Sequence, residues 1–593
     1  MTPGTPPRQA LVFGASGLIG RHLILALLEA GAQVTAAVRN SESAAKLNQW
    51  LNQHGETREI ATAIVDFDAP EILSGGPAAF SGITEIHNCA GTYRFGMSAQ
   101  EARRANVGIV EKLMDFAAAL PDLQRLVHIS GYRVGGQDPS LIPWPRDYRD
   151  RLYRKLGAYE ASKVESDAIF QALGEERGIP WSIVNPASVI GHSATGESDQ
   201  YIGLAGTIEQ LWEGKTAALP AGNSTFLPVL TVDYMAAFMQ AVAIAPEAIG
   251  KSYWLLDDAT APLGQLLASA GRHLGAKVPR LRLPVGLIKA LPSWVTKADP
   301  ETLHFMSADR YPTGPAIEFA VRHGIQMPNV ETSVERWVDY LAAHRFGAAS
   351  SCARRFVGVG GVKTFELGES EARRLILPGL PVNADTWATV AQGIGGRTVD
   401  LPGLGLSGGK GVVDWDGWLP ALLSGEPVDL MGHSVGSAAA ILAADRFPEK
   451  IRSLTLIAPF FLQEPAGKAM KFKPVVRSYL RHATAEQLSR QLTGNEASSA
   501  LLASSVSDVK RSTAKAVAEH LALANSPKWR AELRQTLERY DGPLRIIWGA
   551  DDPLLPWAIE LLKSRPNVEL HCLPSAGHHP QLTHQEALIS LLK

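Results

Sequence analysis

Two sets of residues in this chain have types and spacings suited to chemistry, and they lie in different halves. In the first half, Gly14-Ala15-Ser16-Gly17-Leu18-Ile19-Gly20 leads from an apolar strand into a helical pattern. Glycines there let the backbone turn tightly and approach a pyrophosphate, and the helix N-terminus supplies a positive field for that anion. Further on, Tyr159 and Lys163 stand four apart in Tyr159-Glu160-Ala161-Ser162-Lys163, so a helix presents both on one face. A phenol of ordinary pKa, about 10, is a poor acid–base group until a neighbouring ammonium stabilises its phenolate. Lys163 provides that field and can also hold a ribose. In the second half, Gly432-His433-Ser434-Val435-Gly436 joins an apolar strand to a helical run. The glycines permit a strained turn that exposes Ser434. An acid at Asp552 and a histidine at His578 follow in the chain, the partners a serine nucleophile needs.

Elements must place these groups. Segments 10–13, 33–38, 60–65, 85–88 and 125–129 are short apolar strands alternating with helical patterns such as 20–30. That alternation predicts a doubly wound parallel sheet with helices on both faces. The second strand ends in Val38-Arg39-Asn40. An acid there would favour NAD, whereas arginine pairs with a 2′-phosphate, so Arg39 favours NADP(H) over NAD(H). Trp337-Val338-Asp339-Tyr340-Leu341 closes the half, and the Ala-, Ser- and Gly-rich stretch 344–354 reads as a linker. Strand signals resume near 356–367 and 374–377, then at 397–400, 428–431, 454–457, 544–548 and 568–573. Between about 460 and 541 helical patterns replace them, which predicts a helical lid. The expected division is a domain over 1–343, the linker, and a domain over 355–593.

At 593 residues the chain exceeds one hydrophobic core and fits two. Its 46% hydrophobic and 20% charged content is that of soluble globular protein. A net charge of −2 gives no general reason to bind nucleic acid or a membrane surface. Cys89, Cys352 and Cys572 match no metal or redox spacing, suit a reducing compartment and read as small buried hydrophobes. No metal site is expected. Residues 1–8 lack the apolar core of a secretion signal, and no apolar run approaches the roughly 20 residues of a membrane span. A cytoplasmic location is expected.

Residues 9 to about 343 resemble the extended short-chain dehydrogenase/reductase family. The resemblance rests on the glycine loop, the Tyr159/Lys163 pair, His87-Asn88-Cys89-Ala90-Gly91, Ala105-Asn106-Val107 and Val184-Asn185-Pro186-Ala187-Ser188-Val189-Ile190-Gly191. It implies a Rossmann-type domain with Asp66 at the adenine, Ala90 and Pro186 beside the cofactor, and Asn106 in the active site. The family places a hydroxyl before the Tyr helix to polarise the substrate carbonyl. Aligned by Val134-Gly135-Gly136, Gly131 stands at that position. Ser130 is the expected substitute, with Tyr132 or a water as alternatives. Gly191-His192-Ser193-Ala194-Thr195-Gly196-Glu197 resembles a segment of branches acting on acyl thioesters, thioester reductases among them.

Residues 355–593 resemble the α/β-hydrolases, whose order is Ser, Asp, His. The family's spacing, matched here through Pro556, selects Asp552 over Asp551, and its Gly-His pair selects His578 over His579. Asp400-Leu401-Pro402-Gly403-Leu404-Gly405-Leu406-Ser407 also resembles a family loop. Relatives usually carry His-Gly in the oxyanion loop, but here it reads Pro378-Gly379-Leu380-Pro381. Because Pro381 has no N–H, Leu380 and Val435 are the implied oxyanion donors. Serine rather than aspartate as nucleophile points away from haloalkane and epoxide chemistry and toward ester or thioester hydrolysis. In the lid, Lys468, Lys471, Lys473, Arg477 and Arg481 could face an acidic carrier protein or coenzyme A phosphates, or simply water. The leading expectation is a bifunctional enzyme that reduces a carbonyl on an acyl intermediate and cleaves its thioester or ester link. That acyl group would be a small molecule, free or carried on an acyl carrier protein or coenzyme A. A thioester reductase with an editing hydrolase, or a hydrolase regulated by an NADPH-binding module, are the alternatives.

Overall fold

The computed structural model describes residues 8–91, 96–133, 137–290, 307–349, 353–465, 472–553 and 558–593. Cys352, Lys468, Lys471, Val134-Gly135-Gly136, Pro556 and the first seven residues lie outside these. The chain divides into two compact units, Met1–Leu341 and Ala342–Lys593.

The first unit contains strands β1 (Gln9–Phe13), β2 (Gln33–Val38), β3 (Ala61–Ile64), β4 (Glu85–Asn88), β5 (Arg125–Ile129), β6 (Trp181–Pro186), β7 (Ser188–Ile190), β8 (Leu219–Pro220), β9 (Val229–Thr231), β10 (Lys251–Leu255) and β11 (Arg282–Leu283). Seven form one parallel sheet in the order β3-β2-β1-β4-β5-β6-β10. The short pairs β7–β9 and β8–β11 stand apart from it. Successive side chains of a strand face opposite ways. Accordingly Ala10 and Val12 pack with Leu23 and Phe238 on one face, and Leu11 and Phe13 pack with Ile86 and Phe170 on the other. Both faces are covered, as a parallel sheet requires. The winding reverses between β1 and β4, and a crevice opens there beyond the strand C-termini. Gly14 and Cys89-Ala90-Gly91 follow those two strands.

The second unit contains β12 (Arg354–Val359), β13 (Val362–Gly368), β14 (Arg374–Leu377), β15 (Arg397–Val399), β16 (Val428–His433), β17 (Ile451–Ile457), β18 (Leu544–Gly549) and β19 (Val568–Leu573). The sheet order is β12-β13-β15-β14-β16-β17-β18-β19, with β13 antiparallel to both neighbours and the other pairs parallel. The run 356–367 breaks into a hairpin because Gly360 and Gly361 both take positive φ, +55° and +78°, as a tight two-residue turn demands. Between β17 and β18 lie helices Lys473–His482, Ala485–Thr493, Ser499–Asp508, Ala514–Ala524 and Pro527–Arg539. Among the described residues no helix is long and apolar enough to cross a membrane. One expectation is corrected. Cys89 is only half-buried and Cys572 is exposed, the latter because β19 is the edge strand of its sheet and alternate side chains there point outward.

Candidate active sites

In the first unit the glycine loop has the shape its sequence demands. Gly14 has φ +70°, and a Cβ there would stand 2.6 Å from the Cys89 carbonyl. A Cβ on Gly20 would stand 2.2 Å from the Gly14 oxygen. Gly17 caps the helix Leu18–Glu29 and brings no side chain to its N-terminus. The first-turn N–H groups of Leu18, Ile19 and Gly20 therefore have no acceptor inside the helix. Half-buried Ser16 sits beside them. This cradle fits a dinucleotide pyrophosphate. Arg39 and Asp66, just past the C-termini of β2 and β3, are exposed. Asn40 caps the next helix, its side chain accepting from the Ser43 N–H at 2.8 Å.

Beside the loop lies a cavity of about 230 Å³ lined by Ile19, Ala90, Ser130, Tyr159, Lys163 and Pro186. Tyr159 and Lys163 share a face of the helix Ala158–Glu176. The Lys163 ammonium lies 3.0 Å from where a Gly91 Cβ would be, so glycine makes room for it. Burial pulls Lys163 down to about 8. Asn106 does not line the cavity. It occupies a π-helical turn, Arg104–Gly108, and donates to Ser162 Oγ at 2.9 Å, which donates in turn to the Tyr159 carbonyl at 2.9 Å. Asn106 thus braces the turn that carries Tyr159.

Sequence reasoning did not anticipate two features. Ser130 is buried and its hydroxyl faces the Asp167 carboxylate, which burial raises to about 6. Asp167 stands one turn beyond Lys163, a spacing that could have drawn attention to it. Arg133 and Glu160 also line the cavity and pair at 3.3 Å. Gly131 offers the cavity no side chain, whereas Tyr132 does.

In the second unit Ser434 sits between β16 and the helix Val435–Arg446 at φ +49°, ψ −112°. A residue with a side chain holds such a conformation only when its surroundings over-determine it. They do: a Cβ on Gly432 would stand 2.5 Å from the Gly436 oxygen, and one on Gly436 2.0 Å from the Leu377 oxygen. His578 Nε2 lies 2.9 Å from Ser434 Oγ, and His578 Nδ1 lies 2.8 Å from Asp552 Oδ2. Asp552 is buried while Asp551 is exposed. His579 is buried, and burial with the neighbouring His578 pushes its protonation well below the usual range. His433, held neutral at about 3 by burial, contacts the His578 carbonyl through Nε2 at 2.9 Å. Of the three clustered histidines, only His578 joins serine to acid.

Leu380 and Val435 line the same cavity as Ser434 and His578, about 620 Å³ in volume. The Val435 N–H opens its helix and has no intrahelical acceptor. A Cβ on Gly379 would stand 2.7 Å from Ser434 Cβ, so the loop passes this close only because residue 379 is glycine. Val476, Leu480, Leu488 and Leu521 from the inserted helices supply apolar wall.

A family model described as the alpha/beta hydrolase family matches residues 375–591, and one described as male sterility protein matches 78–239. A pimeloyl-[acyl-carrier protein] methyl ester esterase of Neisseria meningitidis serogroup C is 29% identical over 233 residues, covering 37% of this chain and 85% of that protein. A serogroup B counterpart is 31% identical over 180 residues, covering 28% of this chain and 68% of that protein. Among solved structures, the terminal R domain of the myxalamid PKS-NRPS biosynthetic pathway shares 21% identity at a TM-score of 0.47, covering 58% of this chain and 92% of that one.

Proposed function

This chain belongs to the α/β-hydrolase family through its C-terminal half and carries a nucleotide-binding domain of the short-chain dehydrogenase/reductase type in its N-terminal half, and we propose that it is a bifunctional enzyme. One half reduces a carbonyl on an acyl, thioester-linked intermediate with NADPH. The other hydrolyses an ester or thioester through an acyl-enzyme. The observation that carries the reading is the Ser434–His578–Asp552 chain at 2.9 and 2.8 Å, opening on an apolar cavity. Its reductase counterpart is the Tyr159/Lys163 face.

In the hydrolase, Ser434 Oγ attacks the acyl carbonyl as His578 Nε2 takes its proton. Asp552 holds the ring and stabilises the imidazolium. The Leu380 and Val435 N–H groups face the developing oxyanion. The tetrahedral adduct collapses, the alkoxide or thiolate leaves with the proton from His578, and water releases the acid by the same steps in reverse. In the reductase, the glycine loop would hold the dinucleotide, whose nicotinamide would supply hydride when bound. The chain's own residues do the rest: Tyr159 hands its phenolic proton to the substrate oxygen, and Lys163 stabilises the resulting phenolate. Ser130 is the hydroxyl assigned to hold that oxygen. A hydroxyl that only steadies the oxygen while Tyr159 delivers the proton contributes one hydrogen bond, so Ser130→Ala is expected to lower reductase kcat only about tenfold, well short of the loss at Tyr159. Steady-state NADPH oxidation checks this, and a loss as large as that of Tyr159→Phe would show that Ser130 bears the oxygen alone.

Arg39 favours NADP(H) over NAD(H). Removing one charge-assisted phosphate contact of about 1.5–3 kcal/mol should raise KM for NADPH about 10–100-fold in Arg39→Ala, with KM for NADH unchanged. Equal effects on both cofactors would remove the assignment. The relatives whose names specify an acyl-carrier-protein ester support an acyl group carried on a carrier protein or on coenzyme A. The proposed location is cytoplasmic. The deciding experiment incubates full-length protein and NADPH with ketoacyl thioesters on carrier protein or coenzyme A, and follows products by mass spectrometry. Hydroxyacyl thioester and free hydroxy acid are expected. Aldehyde or alcohol without free acid would instead point to thioester reduction.

A further inference from the structure

By composition, residues 344–354 read as a passive linker, yet Arg345 and Phe346 are buried, with 8% and 6% exposure. Both hold left-handed backbone, φ +49° and +51°, a region residues with side chains enter only when contacts hold them there. For Arg345 those contacts are ionic. Arg345 donates from both terminal nitrogens to Asp508, at 3.0 and 2.8 Å, and from Nε to Asp385 at 2.7 Å. Arg354 donates to the other Asp385 oxygen at 2.5 Å. Asp508 ends the helix Ser499–Asp508 of the insertion and also accepts from Asn383 Nδ2 at 2.7 Å. The Asn383 side-chain oxygen accepts from Ser504 and Ser505 at 3.2 and 3.1 Å.

This cluster lies where two walls of the hydrolase cavity, the loop after β14 and the helical insertion, meet. Asn383 stands three residues after Leu380, and Val382 between them packs against Leu488 and Leu502 of the insertion. Beyond Asp508 the chain turns through Val509–Thr513 into Ala514–Ala524, whose Leu521 and Ala524 line the cavity. We propose that Arg345 is a positioning residue of the hydrolase: by bridging Asp508 and Asp385 it locks the 380–385 loop to the helical insertion and so holds the Leu380 N–H toward Ser434. The inference rests on the hydrolase reading above. A planar guanidinium suits the task because its fork fixes carboxylate positions in a way a lysine ammonium cannot. Without it two buried carboxylates lose their common cation, and the loop keeps only its Asn383 hydrogen bonds and Val382 packing against the insertion. The functional hydrolase therefore begins before Arg345, inside the apparent linker.

The test uses the full chain. Wild type, Arg345→Lys and the charge-balanced Arg345→Met/Asp508→Asn are compared for kcat and KM on a short-chain p-nitrophenyl ester, fluorophosphonate labelling rate and thermal melting. If the bridge positions the oxyanion loop, the double variant melts near wild type, yet kcat and labelling rate fall about 10–1,000-fold with KM within about twofold. The lysine variant should fall between. A folded double variant with wild-type kcat overturns the inference. If that variant does not fold, a folded Arg345→Lys with unchanged kcat overturns it on the same criterion. Wild-type protein that neither hydrolyses the ester nor labels at Ser434 overturns the hydrolase reading instead.

Discussion

Replacing Ser434 with alanine is expected to lower kcat for ester or thioester hydrolysis by about 10⁴–10⁶-fold while leaving NADPH oxidation unchanged. The size follows from the geometry. Ser434 Oγ, His578 and Asp552 form one hydrogen-bonded chain, and members of such a chain act as a unit, so losing the nucleophile forfeits almost all of its effect. Whatever rate remains would come from the Leu380 and Val435 N–H groups and from binding in the cavity. Intact-mass analysis after fluorophosphonate treatment reads the result directly. Wild type should gain a single adduct and Ser434→Ala none. An adduct persisting on the alanine variant would place the activated nucleophile elsewhere. Because His433 and His579 are buried, held neutral and not bonded to the serine, neither is expected to rescue a His578→Ala variant.

What could be read from the chain alone was set by how local the signal is. Segments 33–38, 85–88, 125–129, 374–377 and 568–573 coincide with strands β2, β4, β5, β14 and β19, since apolar runs bounded by turn residues carry their own signature. The glycine loop and the Gly432–Gly436 turn were equally legible, because close backbone approach leaves glycine as the only choice. Three features were not. Arg345 reaches partners 40 and 163 positions away, and no window of neighbouring residues encodes such contacts. That Asp167 lies beside Ser130 is set by the packing of a helix against the end of β5. Amphipathic periodicity located the inserted helices between β17 and β18, but which of their faces lines a cavity is settled by packing against Val382 and Leu582. The oxyanion loop lay between these cases: its departure from pattern was visible, while its closeness to Ser434 emerged only from the space that Gly379 leaves empty.

Removing the phenol in Tyr159→Phe should cost about 10²–10⁴-fold in NADPH-dependent reduction, the usual weight of a general acid, with Ser434-dependent hydrolysis retained. The pH profile adds a second, sharper expectation. Burial holds Lys163 down to about 8, so its ammonium supports the Tyr159 phenolate below that pH and is lost as pH rises through it. Reductase kcat/KM should decline above about pH 8. Stability should move the other way. The folded chain gives up this proton at about 8, the unfolded chain only near the ordinary lysine value of about 10.4, so between those values the unfolded state binds more protons and this group's contribution to stability rises with pH. A fall in activity above pH 8 without a fall in melting temperature thus distinguishes loss of the lysine charge from unfolding. Lys163→Met should lower the rate and abolish that alkaline limb together. If the limb survives in Lys163→Met, another group titrates there. If Tyr159→Phe keeps its rate, the proton reaches the substrate oxygen by a different route, and Tyr132, the other phenol lining the cavity, becomes the residue to replace.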